Sequence, residues 1–375
     1  MLAQLLHEWT GYALFDGRLF RAGAAALFAI FLVFLTMPMY IRYLQKLDAT
    51  SDFDVDGQKS PPIMGGLLLV VVSFISSLCF AHMNGYVIST LAILIAYSGV
   101  GAIDDIAKIL NKRKVSSGAI TKADYMDKAD GISASLRLFL YFLFSLIVAV
   151  FAYKFIPELK GELTIPFIKP EIWNPTLPNW IFIIFISLVI TFTANGTNFT
   201  DGLDSLVSVP IITTMVFVGI VAWVSGNVVF SEYLNIHFLP GVDELFPIAA
   251  AIAGALLAYL WFNSPPAEIY MGDAGSIGFG GAIGIMFILI QAELFIPIVG
   301  SVIMAEAVSV VIQIGYFKMT KKRVFLCAPL HHHFQFKWKG KYGDKSQLNS
   351  KIIWRMHIVS IISLIVGLII FFKVR

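Results

Sequence analysis

Three acidic motifs contain the side chains most able to do chemistry in this sequence. They are IDD (103–105), NFTDGLDS (198–205) and MGDAGS (271–276), and each lies at a predicted end of a hydrophobic segment. Carboxylates are costly beside a lipid bilayer, so they are kept there for a function or a partner. Mg²⁺ binds one or two carboxylates and fills its other positions with water and phosphate oxygens. The motifs therefore predict a magnesium-dependent site for phosphate chemistry at a membrane–water interface.

A fourth motif, PLHHHF (329–334), places three consecutive histidines in a basic segment. Zinc binding is not favoured, because Cys327 is the only nearby cysteine and no CxxC pair is present. Consecutive residues cannot all face one way on a regular element, so we expect alternate histidines of an extended segment to share a face. Histidine titrates near neutral pH. The motif predicts phosphate contact or proton handling by His331, His332 and His333.

The pair Asp104 and Asp105 has a structural interpretation as well as a catalytic one. Lys108 follows Asp104 by four residues, which is the spacing of an ion pair on one helix face. However, both acids are predicted to end the third hydrophobic segment, where the negative end of the helix dipole disfavours carboxylates. Adjacent acids also repel unless a cation or a proton compensates them. A bound cation explains the pair better than an isolated ion pair does.

The acids of the other two motifs could instead begin helices. If the sixth hydrophobic segment starts near Asp201, this residue would be its N-cap and Asp204 a first-turn acid, and both are favourable. Asp273 could cap the eighth segment in the same way. In contrast, the spacing of three places Asn198, Asp201 and Asp204 within reach of one ligand. Both interpretations are compatible with the residues alone.

The elements that position these motifs are predicted to be transmembrane helices. The 375 residues are 58% hydrophobic and 14% charged, with a mean hydropathy of +0.81, and apolar runs of about 20 residues recur. The net charge of +3 and the lack of a basic-aromatic patch argue against nucleic acid as a partner. We predict one all-α integral membrane domain (1–375), a bundle of about ten transmembrane helices. The spans lie near 20–42, 63–82, 87–104, 136–156, 178–194, 203–225, 246–262, 275–291, 294–317 and 352–373.

The distribution of Lys and Arg predicts the orientation of the bundle. The loops 43–62, 105–137 and 318–355 contain 2, 7 and 10 of the 27 Lys and Arg residues, which predicts a cytoplasmic location. With an even number of spans, both termini are then periplasmic. The shorter loops 195–202 and 263–275 fall on the cytoplasmic side as well. All four motifs are therefore predicted to line one cytoplasmic active-site cleft. The glycines at 278, 280 and 281 are predicted helix-packing positions.

Together these motifs resemble a known family. IDDxxK, NFTDGLDS, NxxPAxxxMGDxGS and PLHHHF are similar to motifs of the phospho-N-acetylmuramoyl-pentapeptide transferases, part of the polyprenyl-phosphate N-acetylhexosamine-1-phosphate transferase superfamily. PLHHHF is the most specific element. The resemblance implies transfer of phospho-MurNAc-pentapeptide from UDP-MurNAc-pentapeptide to undecaprenyl phosphate, which yields lipid I and UMP for peptidoglycan, and hence for cell shape and division. It also implies Mg²⁺ as cofactor and the bacterial inner membrane as location.

The resemblance implies a role for each matching residue. Asp273 would be the strongest Mg²⁺ ligand, with Asp201 as a second, and Tyr270 would stack on uracil. The implied catalytic residues are Asp104, Asp105, Asp201, Asp204, His331, His332 and His333. The residues implied to contact the nucleotide or the cofactor are Lys108, Asn198, Asn263 and Tyr270.

The sequence leaves several alternatives open. One is a transferase that loads GlcNAc-phosphate onto the same lipid, and another is a cation-coupled transporter, whose site would be expected near the bilayer midplane. The transfer could take one step or pass through a phosphoryl-enzyme formed by an aspartate. The peptide-stem preference and the oligomeric state, a homodimer included, are also open. The chain departs from the family pattern at three places: Pro61-Pro62-Ile63 replaces Thr-Pro-Thr, Gln335 replaces an acid, and Arg137 stands where lysine is common.

Overall fold

The protein is helical throughout most of the chain that the structure, a computed structural model, describes: residues 2–50, 60–116, 131–168 and 172–374. The described β-structure is a single antiparallel bridge between Glu162 and Thr176. This bridge lies in the proline-rich segment 157–178. Parts of the predicted loops 43–62 and 105–137 lie outside the described residues.

The α-helices are named here in chain order. They are α1 (Leu2–Thr10), α2 (Arg18–Lys46), α3 (Gly65–Phe80), α4 (Gly85–Ser116), α5 (Ala134–Phe155), α6 (Asn179–Thr200), α7 (Ser208–Ser225), α8 (Val228–Leu234), α9 (Leu245–Asn263), α10 (Asp273–Leu289), α11 (Ile296–Val299), α12 (Ser301–Thr320), α13 (Leu330–Lys337) and α14 (Lys345–Ile369).

Long apolar helices make up the bundle. Among the described residues, eight helices are long and apolar enough to cross a membrane. The apolar helices α3 and α10 are shorter, with 16 and 17 residues. Each of the ten predicted spans coincides with one of these helices, so the prediction of an all-α membrane protein is confirmed. The number of complete crossings and the orientation of the termini stay predictions.

Helix α10 lies at the centre of the bundle. Every residue of α10 after the first is buried, because α3, α4 and α6 pack around it. A Cβ on Gly66 of α3 would lie 2.3 Å from the Cα of Gly275, and one on Gly280 would lie 2.7 Å from the α6 backbone. Small residues allow such close approach, as predicted for the glycines of this helix. Because α10 begins with Asp273, this packing fixes the position of a predicted metal ligand.

A buried ion pair stabilises the other end of the bundle. Arg21 of α2 donates hydrogen bonds of 2.6 and 2.7 Å to Glu244, which directly precedes α9. Arg21 also donates to the carbonyl of Phe80, and the amide of His82 donates to Glu244. Since both charged side chains are buried, each depends on the other for compensation. The pair therefore ties α2 and α9 to the connection that follows α3.

The acidic pair does not end its helix, contrary to the prediction. Helix α4 continues past Asp104 and Asp105 to Ser116, about three turns further. Hydropathy falls after Asp105, but the following residues (IAKILNKRK) still favour a helix. The argument from the helix dipole therefore does not apply to these two acids, and their partners must be sought in neighbouring helices.

Two further boundaries also differ from the predictions. α6 ends at Thr200 and α7 begins at Ser208, so Asp201 is the C-cap of α6 and not the N-cap of the next helix. The histidine motif lies in α13 and is helical, so the expected extended segment is wrong. On a helix, successive side chains are about 100° apart, so the three histidines point in different directions.

Candidate active site

Asp105 joins α4 to the beginning of α10. Its carboxylate oxygens accept hydrogen bonds from the backbone amides of Asp273 (3.1 Å) and Ala274 (3.0 Å), and its side chain is buried. The first amides of a helix lack partners within the helix, and a negative charge is favourable there. Gly272 has φ +76°, and a Cβ at this position would lie 2.7 Å from Asp105. Asp105 therefore holds the turn that presents Asp273.

Asp104 and Asp273 share two cations. The Lys108 ammonium lies 2.8 Å from Oδ2 of Asp104 and 3.0 Å from Oδ2 of Asp273. Nη1 of Arg137 lies 3.0 and 3.3 Å from the same two oxygens. The remaining oxygen of Asp104 accepts the amide of Ile132 at 2.8 Å. The ion pair between Asp104 and Lys108, which was the less favoured interpretation of the sequence, is present as part of a four-residue network.

Asn198 brings α6 to the same point. Its carboxamide donates hydrogen bonds to Oδ1 of Asp273 (2.9 Å) and to the hydroxyl of Ser276 (3.1 Å). Asn198 is helical and lies one turn before Asp201. Asp273, at the start of α10, is thus contacted by Lys108 of α4, Arg137 of α5 and Asn198 of α6.

Asp201 and Asp204 lie in the segment between α6 and α7. Burial, together with the negative charges of Asp273 and Asp105, raises the pKa of Asp201 to about 8. Burial also raises the pKa of Asp204, which accepts the amide of Ala267 at 3.2 Å. A cation stabilises a carboxylate in such surroundings. The negative charge of Asp273 acts on Asp201, so a cation near both carboxylates would stabilise each of them.

Asn263 and Tyr270 organise the loop before α10. The buried carboxamide of Asn263 accepts the amide of Ser205 (2.8 Å) and donates to the carbonyl of Ile269 (2.8 Å). Tyr270 donates its backbone amide to the carbonyl of Pro62 at 2.9 Å, and its side chain is partly exposed. Asn263 therefore connects two loops, and ligand contact by either side chain stays a prediction.

Two of the three histidines are held by neighbours within their own region. Nδ1 of His332 lies 2.7 Å from Oε1 of Gln335, and Gln335 in turn donates to Asn349. Nδ1 of His333 accepts the amide of Leu326 at 3.2 Å. The family usually has an acid at position 335, and the side-chain oxygen of Gln335 offers His332 a hydrogen-bond acceptor as an acid would. In both residues the contact occupies Nδ1 and leaves Nε2 for other partners.

His331 lies against the segment that carries Asp201 and Asp204. A Cβ on Gly202 would lie 2.2 Å from Nε2 of His331. Only glycine allows the ring to approach the backbone so closely at this point. The carboxylate of Glu306 in α12 accepts the backbone amide of His331. The histidine motif and the second acidic motif therefore meet, as predicted.

The structure brings the four motifs together at one end of the bundle. Hydrogen bonds or ion pairs directly join five predicted site residues. Asp201 and Asp204 lie in the next loop, where the charges of Asp273 and Asp105 act on Asp201, and His331 packs against Gly202 of the same loop. Two residues outside the predicted set belong to this region: Arg137, noted only as a departure from the family pattern, and Glu306. In the sequence, each of these two residues is a charged side chain within an apolar helix, and this pattern could have identified both as site residues. The directly joined residues are Asp104, Asp105, Lys108, Asn198 and Asp273.

The donor set fits a magnesium ion. Among the described residues, no three Asp, Glu, His or Cys side chains gather as a metal centre. Mg²⁺ does not require three, since water and phosphate oxygens complete its coordination. Asp273 lies beside Lys108 and Arg137, which can neutralise phosphate, and its charge acts on the second carboxylate, Asp201. The residues present are thus suited to a metal that is shared with a phosphate ligand.

Two grooves are lined by residues that neighbour the site motifs in sequence. The first, of about 440 Å³, is lined by apolar side chains of α12 and by two cations. The second, of about 430 Å³, borders Ala267, whose amide binds Asp204. An amphiphilic anion fits the first groove, and a polar ligand fits the second. The lining of the first groove includes Val310, Ile314, Phe317, Lys318 and Arg323.

Comparison with known proteins points to one family. Residues 86–291 match the model of glycosyl transferase family 4. The chain is 37% identical over 357 residues to the phospho-N-acetylmuramoyl-pentapeptide-transferase of a Nitratiruptor species, and the alignment covers 93% of each protein. It is 36% identical over 370 residues to the protein of the same name from Desulfotalea psychrophila, and that alignment covers 96% of each.

Proposed function

Because the chain belongs to glycosyl transferase family 4 and, within it, to the phospho-N-acetylmuramoyl-pentapeptide-transferases, we propose that it performs their reaction in peptidoglycan synthesis. The substrates are UDP-MurNAc-pentapeptide and undecaprenyl phosphate, and the products are lipid I and UMP. The observation that carries this proposal is the meeting of α4, α5, α6 and α10 at Asp273. This arrangement combines carboxylates for a metal with cations for phosphates.

The proposed reaction is a phosphoryl transfer. An oxygen of the lipid phosphate attacks the β-phosphorus of UDP-MurNAc-pentapeptide, the bond to the bridging oxygen breaks, and UMP leaves with that oxygen. Catalysis of such transfers comes mainly from positioning and from compensation of charge. Lys108 and Arg137, which are about one-fifth exposed, are placed to bind phosphate oxygens. Mg²⁺, held by Asp201 and Asp273, would compensate further negative charge.

We propose a single displacement, with Asp104 as an anchor for the two cations. One oxygen of Asp104 contacts Lys108 and Arg137, and the other accepts a backbone amide. An attack by this carboxylate on phosphorus would sacrifice those contacts. The lipid phosphate carries its own negative charge near neutral pH and needs little help from a base. Stoichiometric release of UMP in the absence of lipid acceptor would contradict the single displacement.

We further propose that the site faces the cytoplasm at the inner leaflet of a bacterial inner membrane. The substrates support this location, because a polyprenyl tail requires hydrocarbon whereas a nucleotide sugar requires water. The groove along α12 combines an apolar wall with Lys318 and Arg323, which suits a lipid phosphate. The Lys and Arg residues concentrated in the loops 105–137 and 318–355 support the cytoplasmic side.

The test is UMP release by the purified protein with undecaprenyl phosphate and each of two nucleotide sugars. We expect turnover with UDP-MurNAc-pentapeptide, none with UDP-GlcNAc, and loss of turnover when EDTA removes Mg²⁺. Turnover of UDP-GlcNAc alone would support the GlcNAc-phosphate alternative. Movement of a solute across liposomes without UMP release would support the transporter alternative.

A further inference from the structure

Glu306 is a carboxylate inside an apolar helix. It lies in α12, within the sequence SVIMAEAVSVV, and its side chain is fully buried at 0% exposure. A buried charge of this kind is costly unless a partner compensates it. Among the described residues, no Lys or Arg forms an ion pair with Glu306, and its contacts are to His331. The retention of this acid therefore has to be explained through His331.

Glu306 contacts both the backbone and the ring of His331. The backbone amide lies 3.1 Å from Oε1 and 3.3 Å from Oε2 of Glu306, and the ring atom Nδ1 lies 3.3 Å from Oε2. The carboxylate accepts a hydrogen bond from the backbone amide, whereas Nδ1 lies close to it without a hydrogen bond. A carboxylate at this distance restrains the orientation of the imidazole. The opposite nitrogen, Nε2, is then the one available to another group.

Nε2 of His331 is buried, lacks a protein partner and faces the second acidic motif. The His331 side chain is 1% exposed, and neither of its ring nitrogens has a hydrogen-bond partner among the described residues. The ring lies against Gly202, next to Asp201. Helix α6, which leads into this segment, packs against α12, because a Cβ on Gly196 would lie 3.1 Å from Ala307. A buried nitrogen without a partner is explained if a ligand supplies one.

We infer that Glu306 is a positioning residue for the transfer reaction: it holds His331 so that Nε2 can donate a hydrogen bond to a phosphate oxygen of the nucleotide sugar. The inference rests on the proposed function. A ring nitrogen of histidine that carries hydrogen is a hydrogen-bond donor. A donor aimed at the reacting phosphates stabilises the charge that develops during transfer.

A double-mutant cycle tests whether Glu306 acts through His331. We compare wild type, Glu306→Gln, His331→Gln and the double variant in single-turnover UMP release, with enzyme in excess so that large losses remain measurable. Loss of one electrostatic donor reduces the rate about a hundredfold or more, and we expect about a tenfold or greater loss from Glu306→Gln. In the His331→Gln background, Glu306→Gln should change the rate by less than about twofold.

Each outcome of the cycle has a defined meaning. Multiplicative losses, or wild-type rates in Glu306→Gln, would overturn the positioning role, because a purely structural contribution would not depend on His331. Gly315→Ala is the matched control, since it lies on the same helix and a Cβ there meets nothing within 4 Å. It should behave as wild type. If the wild-type protein itself releases no UMP, the proposed function fails instead.

A second variant keeps the inference testable if Glu306→Gln does not fold. Gly202→Ala places a methyl group 2.2 Å from Nε2 of His331 and leaves Glu306 untouched. We expect this variant to lose as much activity as His331→Gln, with no further loss when the two are combined. Wild-type activity in Gly202→Ala, or multiplicative losses in the combination, would show that Nε2 does not serve the reaction.

Discussion

Asp105→Asn should inactivate the protein by loosening the beginning of α10. The side chain of Asp105 accepts hydrogen bonds from the backbone amides of Asp273 and Ala274. The substitution conserves size and changes only the oxygen that faces one of these amides. It therefore separates a role in placing Asp273 from a role in the chemistry.

The magnitude follows from the two hydrogen bonds. The carboxamide in Asp105→Asn has one acceptor oxygen, so one of the two amides loses its partner and meets an NH₂ group. A buried donor without an acceptor costs about 1–3 kcal/mol, and loss of charge on the remaining bond costs about 1 kcal/mol more. We expect destabilisation by about 2–4 kcal/mol. The displaced Asp273 should also reduce UMP release about a hundredfold.

Thermal unfolding in detergent, measured beside UMP release, checks this prediction. The matched control is Asp344→Asn, at the N-cap of α14, where a single bond of 2.8 Å to the amide of Gln347 is accepted. Asparagine caps a helix as well as aspartate does, so this control should keep its Tm. An Asp105→Asn protein with the wild-type Tm but no activity would refute the reasoning and assign Asp105 to the chemistry.

Two further predictions concern the scaffold. Arg21→Met should destabilise the bundle by about 3–5 kcal/mol, because it leaves the buried Glu244 without compensation. Adding Glu244→Gln should restore most of the lost Tm. A double variant no more stable than Arg21→Met would contradict this prediction. Gly66→Ala should cost about 1–3 kcal/mol through overpacking against Gly275, whereas Gly99→Ala in α4, with open space around its Cβ, should keep or raise the Tm.

The sequence predicted the helices of this protein well because hydrophobic length is a direct physical signal. Each predicted span coincides with an apolar helix, since a bilayer demands long apolar segments whatever the details of packing. The ends were less predictable. The residues after Asp105 mix apolar and basic side chains that still favour a helix. Hydropathy cannot distinguish a helix that continues into water from one that stops.

The site was predicted in its membership but not in its internal contacts. Acidic motifs indicated which side chains would gather, yet Asp105 proves to bind a helix start while Asp104 holds two cations. The different roles of Asp104 and Asp105 depend on where α10 begins relative to α4. The spacing of residues within one motif does not predict this position. Arg137 and Glu306 were missed as site residues for the same reason, since each acquires its partner only in the folded bundle.

Magnesium-dependent UMP release by Asp273→Ala, compared with wild type, tests the central claim most directly. The claim is that Asp273, contacted by Lys108, Arg137 and Asn198, holds the metal for phosphoryl transfer. With UDP-MurNAc-pentapeptide and undecaprenyl phosphate, we predict a loss of at least about a hundredfold that added Mg²⁺ does not restore. A rate near that of wild type at the same Mg²⁺ concentration would contradict the account.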